Sequence, residues 1–174
     1  MKARFFTPVL LLLALVGAPR LAAAQELRDV RLADRIANAV TSYTRYTIFD
    51  DIDASVENGS VVLSGKVTMP FKRTDIEKLV AKIDGVRSVQ NNIEVLPVSI
   101  YDDDLRVSIA RAIYRSPSFW NYAAMSNPPI HIVVDRGHVT LTGVVNSQVE
   151  KMLAQSLATG RGELGITNKL RTEM

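Results

Sequence analysis

The chain contains no cysteine. That excludes disulfides, thiol nucleophiles, thiolate metal ligands and attachment of lipid through a cysteine. Histidines are scarce, with only His131 and His138. A hairpin pairing places them several residues apart on the ladder, so they are not a ready pair of metal ligands. No G-x-S-x-G elbow accompanies the serines. Asp50, Asp51 and Asp53, and the run Asp102-Asp103-Asp104, lack the spacing and central glycine of a calcium loop. The former set reads as a solvated strand entry and the latter as a helix start. An enzyme would need a cleft gathering His131 or His138 with a carboxylate and a hydroxyl, and the strand parities argue against one. No catalytic, cofactor-binding or metal-binding residue is therefore expected.

Excess charge is also lacking where it would matter. The formal net charge is +3, but Lys2, Arg4 and Arg20 lie in a segment that reads as a secretory signal. Lys2 and Arg4 give a positive start, Val9–Val16 is an apolar run, and Ala22-Ala23-Ala24 offers small residues for cleavage after Ala24. Gly17, Pro19 and Arg20 break the run before it is long enough to span a membrane. From Gln25 onward basic and acidic side chains balance, which removes any bulk attraction to nucleic acid. The expectation is a signal peptide over 1–24 and an exported, unlipidated mature protein.

What is present is present twice. Gly59-Ser60-Val61-Val62-Leu63-Ser64-Gly65 and Gly137-His138-Val139-Thr140-Leu141-Thr142-Gly143 share one pattern. Before each runs an amphipathic helical stripe: Leu32, Ile36 and Val40 behind Asp29, then Leu105, Ile109 and Ile113 behind Asp102. Folding at Asn58-Gly59 sets Val56 against Val61, Ala54 against Leu63 and Ile52 against Gly65. Folding at Arg136-Gly137 sets Val134 against Val139, Ile132 against Leu141 and Ile130 against Gly143. Both hairpins come out apolar on the same face. Gly59 and Gly137 supply positive φ in the turns. Gly65 and Gly143 fall on the inward face, where a missing side chain lets a helix approach. A phosphate-binding loop would instead place its glycines between a strand and a helix.

A second helix follows in each copy, with stripes Ile76, Leu79, Val80, Ile83 and Val149, Met152, Leu153, Leu157. Pro70 suits a first turn. The closing strands are Val86–Val95 and Leu164–Leu170, with Asn91 and Asn168 at matching inward positions. Each buried amide needs hydrogen bonds and is expected to tie down a loop or bulge. The fold class is α/β (α+β): two small α-β-β-α-β units, each a three-stranded sheet with two helices on one face. The units span residues 28–96 and 101–172, joined by a short apolar linker at 97–100.

On these residues the chain resembles the BON domain family in tandem, as in exported two-domain envelope proteins of Gram-negative bacteria. The carriers are the Asp-led helices, the two G-x-V-x-L-[ST]-G hairpins and the closing Gly85-Val86-Arg87-Ser88-Val89-Gln90-Asn91. The second closing motif departs: Gly162-Glu163-Leu164-Gly165-Ile166-Thr167-Asn168 puts glutamate in place of the hydrophobe. The resemblance implies a non-catalytic module connected with the cell envelope, osmotic stress and phospholipid attachment.

The second copy carries an extension between its first helix and hairpin, with the single tryptophan. Arg111 and Arg115 lie four apart on the preceding helix and point the same way. Arg106 is further round. Arginines beside Phe119, Trp120 and Tyr122 suit a lipid headgroup boundary. The competing reading buries the aromatics over a small core. Arg111, Arg115, Phe119, Trp120 and Tyr122 are the candidate contact residues. Anionic phospholipid or an envelope protein is the expected partner, and the oligomeric state is left open. A docking surface for a protein partner is alternatively offered by the outward sheet faces with Val62, Val133 and Thr140.

Overall fold

The computed structural model describes residues 18–172. The basic start and the whole apolar run of the expected signal lie outside the described residues. Among those described, no helix is long and apolar enough to cross a membrane.

Unit one begins with helix α1 (Ala18–Thr41), followed by β1 (Asp51–Glu57), β2 (Ser60–Val67), α2 (Pro70–Ala81), β3 (Ser88–Asn91) and β4 (Glu94–Val95). Unit two repeats the order with α3 (Ile100–Tyr114), a 3-10 turn (Pro117–Phe119), α4 (Trp120–Ala123), β5 (Ile130–Asp135), β6 (His138–Val145), α5 (Gln148–Ala158), β7 (Gly165–Asn168) and β8 (Arg171–Thr172). In each sheet the second strand is central. It pairs antiparallel with the first and parallel with the last, giving orders β1-β2-β3 and β5-β6-β7. The hairpin registers are those predicted from the turn positions, Ala54 opposite Leu63 and Ile132 opposite Leu141 among them. The last strand is split in both units: β4 continues along β2 beyond β3, and β8 along β6 beyond β7.

The helices bury their stripes against one face of each sheet, producing two separate cores. Leu32, Ile36, Val40, Ile76 and Val80 close over Val61, Leu63 and Val67. Leu105, Ile109, Ile113, Phe119 and Tyr122 close over Ile132, Val139 and Leu141. Half of the stripe expected for α5 holds, since Leu153 and Leu157 pack against the core, and the other half is displaced. Val149 and Met152 are 68% and 57% exposed, and Ala154 and Ala158 are fully buried instead. Small side chains let α5 seat closely, with Leu153 and Leu157 flanking them and Val149 and Met152 left outside.

Three further expectations are corrected. Asp29 does not begin a helix; it lies within α1. Its Oδ2 accepts from the Asn58 N–H at 2.7 Å and its Oδ1 from the Gly59 N–H at 3.2 Å. Asp102 does the same for Arg136 and Gly137, both at 2.8 Å. Each aspartate thus holds a turn in which both central residues have positive φ, Asn58 and Arg136 as well as the glycines. Second, Gly65 and Gly143 do not make room for a helix. Their φ values are 113° and 108°, and a Cβ there would strike the backbone carbonyl of Asp51 or Pro129 on the neighbouring strand side. Third, Ile100, expected in the linker, already belongs to α3, whose N-cap is Ser99, its side chain accepting from the Asp102 N–H.

The units meet along the start of β1 and the edge of β5. The Ile132 N–H donates to the Ile48 carbonyl at 2.7 Å. His131 Nδ1 lies 2.6 Å from the Asp50 carbonyl, and Asn127 Nδ2 donates to the Thr41 carbonyl. Lys66 Nζ pairs with Asp135 Oδ2 at 2.5 Å, and Phe49 packs against the core of unit two. The outward face of the second sheet is correspondingly not free: Val133 is only 5% exposed.

Candidate functional site

Helix α3 determines which expected contact residues reach solvent. Leu105, Ile109 and Ile113 face the core, so Arg111 and Arg115 project outward together. With Asp104, Val107 and Ser108 they line an open groove of about 560 Å³. Arg161 completes it from the loop after α5. Its Nε donates to the Leu157 carbonyl at 2.6 Å and its Nη1 to Ser108 Oγ at 3.3 Å. Among the described residues, none of the three arginines forms an ion pair. The site therefore presents three cationic groups, with Asp104 in the groove lining and Glu163, which accepts from the Arg161 N–H, beside the third. Arg161 escaped the sequence reading because it lies outside both helix and hairpin. Its only signal is a basic residue next to the Gly160 and Gly162 turn.

The aromatics divide. Phe119 is fully buried and stacks on Tyr122 with ring centroids 5.9 Å apart. Tyr122 is also buried, and its hydroxyl donates to Glu150 Oε2 at 2.6 Å. Trp120 stays 66% exposed, because Phe119 and Tyr122, three apart on the helical turn, take the inward face and leave Trp120 and Asn121 outside. Of the five expected contact residues, the structure brings Arg111, Arg115 and Trp120 to the surface and draws Phe119 and Tyr122 into the core. Arg106 is buried, its guanidinium donating to the Val134 carbonyl at 2.5 Å and to Asp103.

Asn91 and Asn168 play one part twice. Asn91 Nδ2 donates to the Arg73 carbonyl and Glu77 Oε2, and its Oδ1 accepts from the Ile93 N–H. Asn168 Nδ2 donates to the Lys151 carbonyl and Gln155 Oε1, and its Oδ1 accepts from the Leu170 N–H. Each asparagine pins the break in the last strand to the second helix.

A second cleft, about 700 Å³, opens between the units and is lined by Tyr46, Asp51, Asp53, His131, Thr142 and Lys169 among others. Burial pushes the Asp51 carboxyl above its usual range, and the adjacent Thr142 hydroxyl tempers that rise. A histidine, a carboxylate and a hydroxyl thus share one cleft. However, the imidazole is occupied by the Asp50 carbonyl and packs on Tyr46 with ring centroids 5.2 Å apart. The Thr142 hydroxyl makes no hydrogen bond to it. The nucleophile-to-base link that acyl transfer requires is not formed.

The model of the BON domain family matches residues 28–97 and again 101–174. No curated protein matches the chain. Among solved structures, the chain is similar to CdsD, a structural protein of the Type III secretion system of Chlamydia trachomatis. The identity is 13%, over 80% of this chain and 93% of that one, with a TM-score of 0.31. The C-terminal domain of the same protein matches at 12% identity, over 79% and 96%, with a TM-score of 0.27.

Proposed function

The chain belongs to the BON domain family, two copies in tandem, and from that membership we propose that it is an exported envelope module that docks on anionic phospholipid. BON domains are non-catalytic binding modules associated with phospholipid binding and with envelope and osmotic-stress proteins. The observation that carries the reading to this chain is the groove of Arg111, Arg115 and Arg161, free of ion pairs and close in sequence to exposed Trp120. Three cations outnumber the carboxylates near them, Asp104 and Glu163, and their mutual repulsion is a cost that an anionic surface offsets. An exposed indole five residues after Arg115 suits the headgroup boundary. Unit one serves as the scaffold and unit two as the contact unit.

Flotation with phosphatidylglycerol vesicles tests this. Replacing Arg111 and Arg115 with glutamine should weaken binding and flatten its salt dependence. Lys78 of α2 and its C-cap Lys82, also four apart, form the matched control. Equal losses from the two pairs would remove the assignment to unit two. An unchanged Trp120→Ala would leave the charge contribution standing alone.

A further inference from the structure

β1 and β5 hold the same place at the edge of their sheets. Main-chain groups along an antiparallel strand alternate between the partner strand and the free edge. The Leu63 carbonyl accepts from the Asn92 N–H at 2.8 Å, on the side of the last strand. Ala54, opposite Leu63, therefore turns its N–H and C=O to the open edge, as does Val56. The matching residues in unit two are Ile132 and Val134, with Ile130 before them, and there the edge is closed. Tyr114 donates to the Ile130 carbonyl at 2.5 Å, the Ile132 N–H is taken by Ile48, and Arg106 donates to the Val134 carbonyl.

In unit one Tyr46 meets the backbone of Ile52, the counterpart of Ile130, but Ala54 and Val56 have no such plug. Four residues after the turn-holding aspartate, α3 carries Arg106, whereas α1 carries Ala33. A groove of about 450 Å³ opens there between α1 and β1, lined by Glu26, Asp29, Val30, Ala33, Val56 and Glu57 among others. Among the described residues, the edge-facing groups of Ala54 and Val56 have no hydrogen-bond partner. No lysine or arginine lines the groove, and Asp53 is exposed further along the same strand.

We propose that the β1 edge of unit one accepts an extended, basic segment of a partner protein, which adds to the sheet as a further strand. The open groups of Ala54 and Val56 supply main-chain hydrogen bonds, and Val30, Ala33 and Val56 form the apolar floor for alternate side chains. Glu26, Asp53 and Glu57 meet lysines or arginines of the incoming strand. A second copy of β1 is a poor occupant, because self-pairing sets like charges of Asp53 and Glu57 near one another. Charge of one sign is a common guard against edge-to-edge association; here it also selects a partner of opposite sign. Asp29, Val30, Ala33, Val56 and Glu57 lie beyond the expected cleavage point, so processing leaves the groove in place. The site is independent of the arginine groove of unit two.

The test titrates the full chain with a synthetic peptide of alternating lysine and valine, and with a glutamate–valine counterpart. Amide shifts and hydrogen-exchange protection at Ala54 and Val56 are followed alongside affinity. The lysine peptide should protect both amides and the glutamate peptide neither. Ala33→Arg installs the side chain that closes unit two and should weaken binding by about tenfold or more, the loss of one or two hydrogen bonds. Equal binding to that variant, or equal binding of both peptides, overturns the proposal. If Ala33→Arg fails to fold, Glu57→Lys on the strand replaces it, and unchanged affinity there is equally fatal. A concentration-dependent dimer in sedimentation that Ala33→Arg dissolves would assign the edge to a second copy and overturn the partner reading.

Discussion

The same joint, where the hairpin ends and the second helix begins, is built from opposite chemistry in the two units. In unit one the Asp50 carboxylate is fully buried and accepts from the N–H and hydroxyl of both Thr47 and Thr68, and from Lys72 Nζ at 2.6 Å. Lys72 is itself only 4% exposed. In unit two the equivalents of Thr68 and Lys72, counted from the inward glycine, are Asn146 and Glu150. The acid now sits on the helix, and the phenol of Tyr122 replaces the carboxylate of Asp50. The Asn146 N–H donates to the Tyr122 hydroxyl at 2.9 Å and to Glu150 Oε2 at 3.0 Å. What the repeat preserves is therefore an acceptor for one backbone N–H, that of Thr68 or Asn146, and not a particular residue. The comparison also explains why Tyr122 is not a contact residue: the extension of unit two supplies it to this joint.

The largest expected effect breaks the ionic version. Lys72→Ala leaves the Asp50 carboxylate buried without its cation and should cost about 3–5 kcal/mol in urea denaturation. Glu150→Ala, the matched change, removes hydrogen bonds at a less buried joint and should cost about 1–3 kcal/mol. Equal costs would erase the distinction between the two joints.

The turn-holding aspartates differ in degree. Asp102 is buried and holds Arg136, a long side chain at φ 50°, whereas Asp29 is half-buried and holds Asn58. Asparagine tolerates the left-handed region better than arginine does. Asp102→Ala should cost about 1.5–3 kcal/mol and Asp29→Ala about 1 kcal/mol, since an exposed turn regains water as its acceptor. Thermal melts of the two variants check the order, and a larger loss from Asp29→Ala would reverse the argument.

Much of the fold was legible because it rests on period. Leu32, Ile36 and Val40 recur at helical spacing, and Val56, Val61, Leu63 and Val139 alternate at strand spacing, so stripes and register follow. On α5, Leu153 and Leu157 were readable, but the fully buried Ala154 and Ala158 escaped because alanine carries little hydrophobic signal beside Val149 and Met152. The clamps escaped for another reason. Asp50 with Lys72, and Arg106 with Val134, join groups far apart in sequence, and Ile48 meets Ile132 through backbone atoms that carry no residue signature. At the arginine groove, Arg111 and Arg115 were readable as a helical pair, whereas Arg161 arrives by tertiary packing alone. Phe119 and Trp120 are adjacent aromatics, and only the turn geometry separates core from surface.

The smallest expected effect lies at the seam, where unit one supplies the cation and unit two the acid. The hydrogen bond from Lys66 holds the Asp135 carboxyl below its usual range, and Asp135 in turn raises Lys66. A depressed carboxylate stabilises the folded state above its unfolded value, near pH 4, and that contribution fades as pH falls through the lower folded value. The raised lysine contributes fully below about pH 10 and loses its share as pH rises further. Both groups retain solvent access, so the pair should be worth about 0.2–1 kcal/mol. Asp51, across the seam, has the opposite sign: its carboxyl is raised by burial, so its ionisation weakens the fold as pH climbs past its usual range. Urea midpoints should therefore separate the two acids. Asp135→Asn should lower stability near neutrality and converge with the parent chain in acid. Asp51→Asn should converge in acid too, but gain relative to the parent as pH rises. A deficit for Asp135→Asn that stays constant down to about pH 2 would mean that the seam is held by its backbone bonds, with the ion pair contributing nothing.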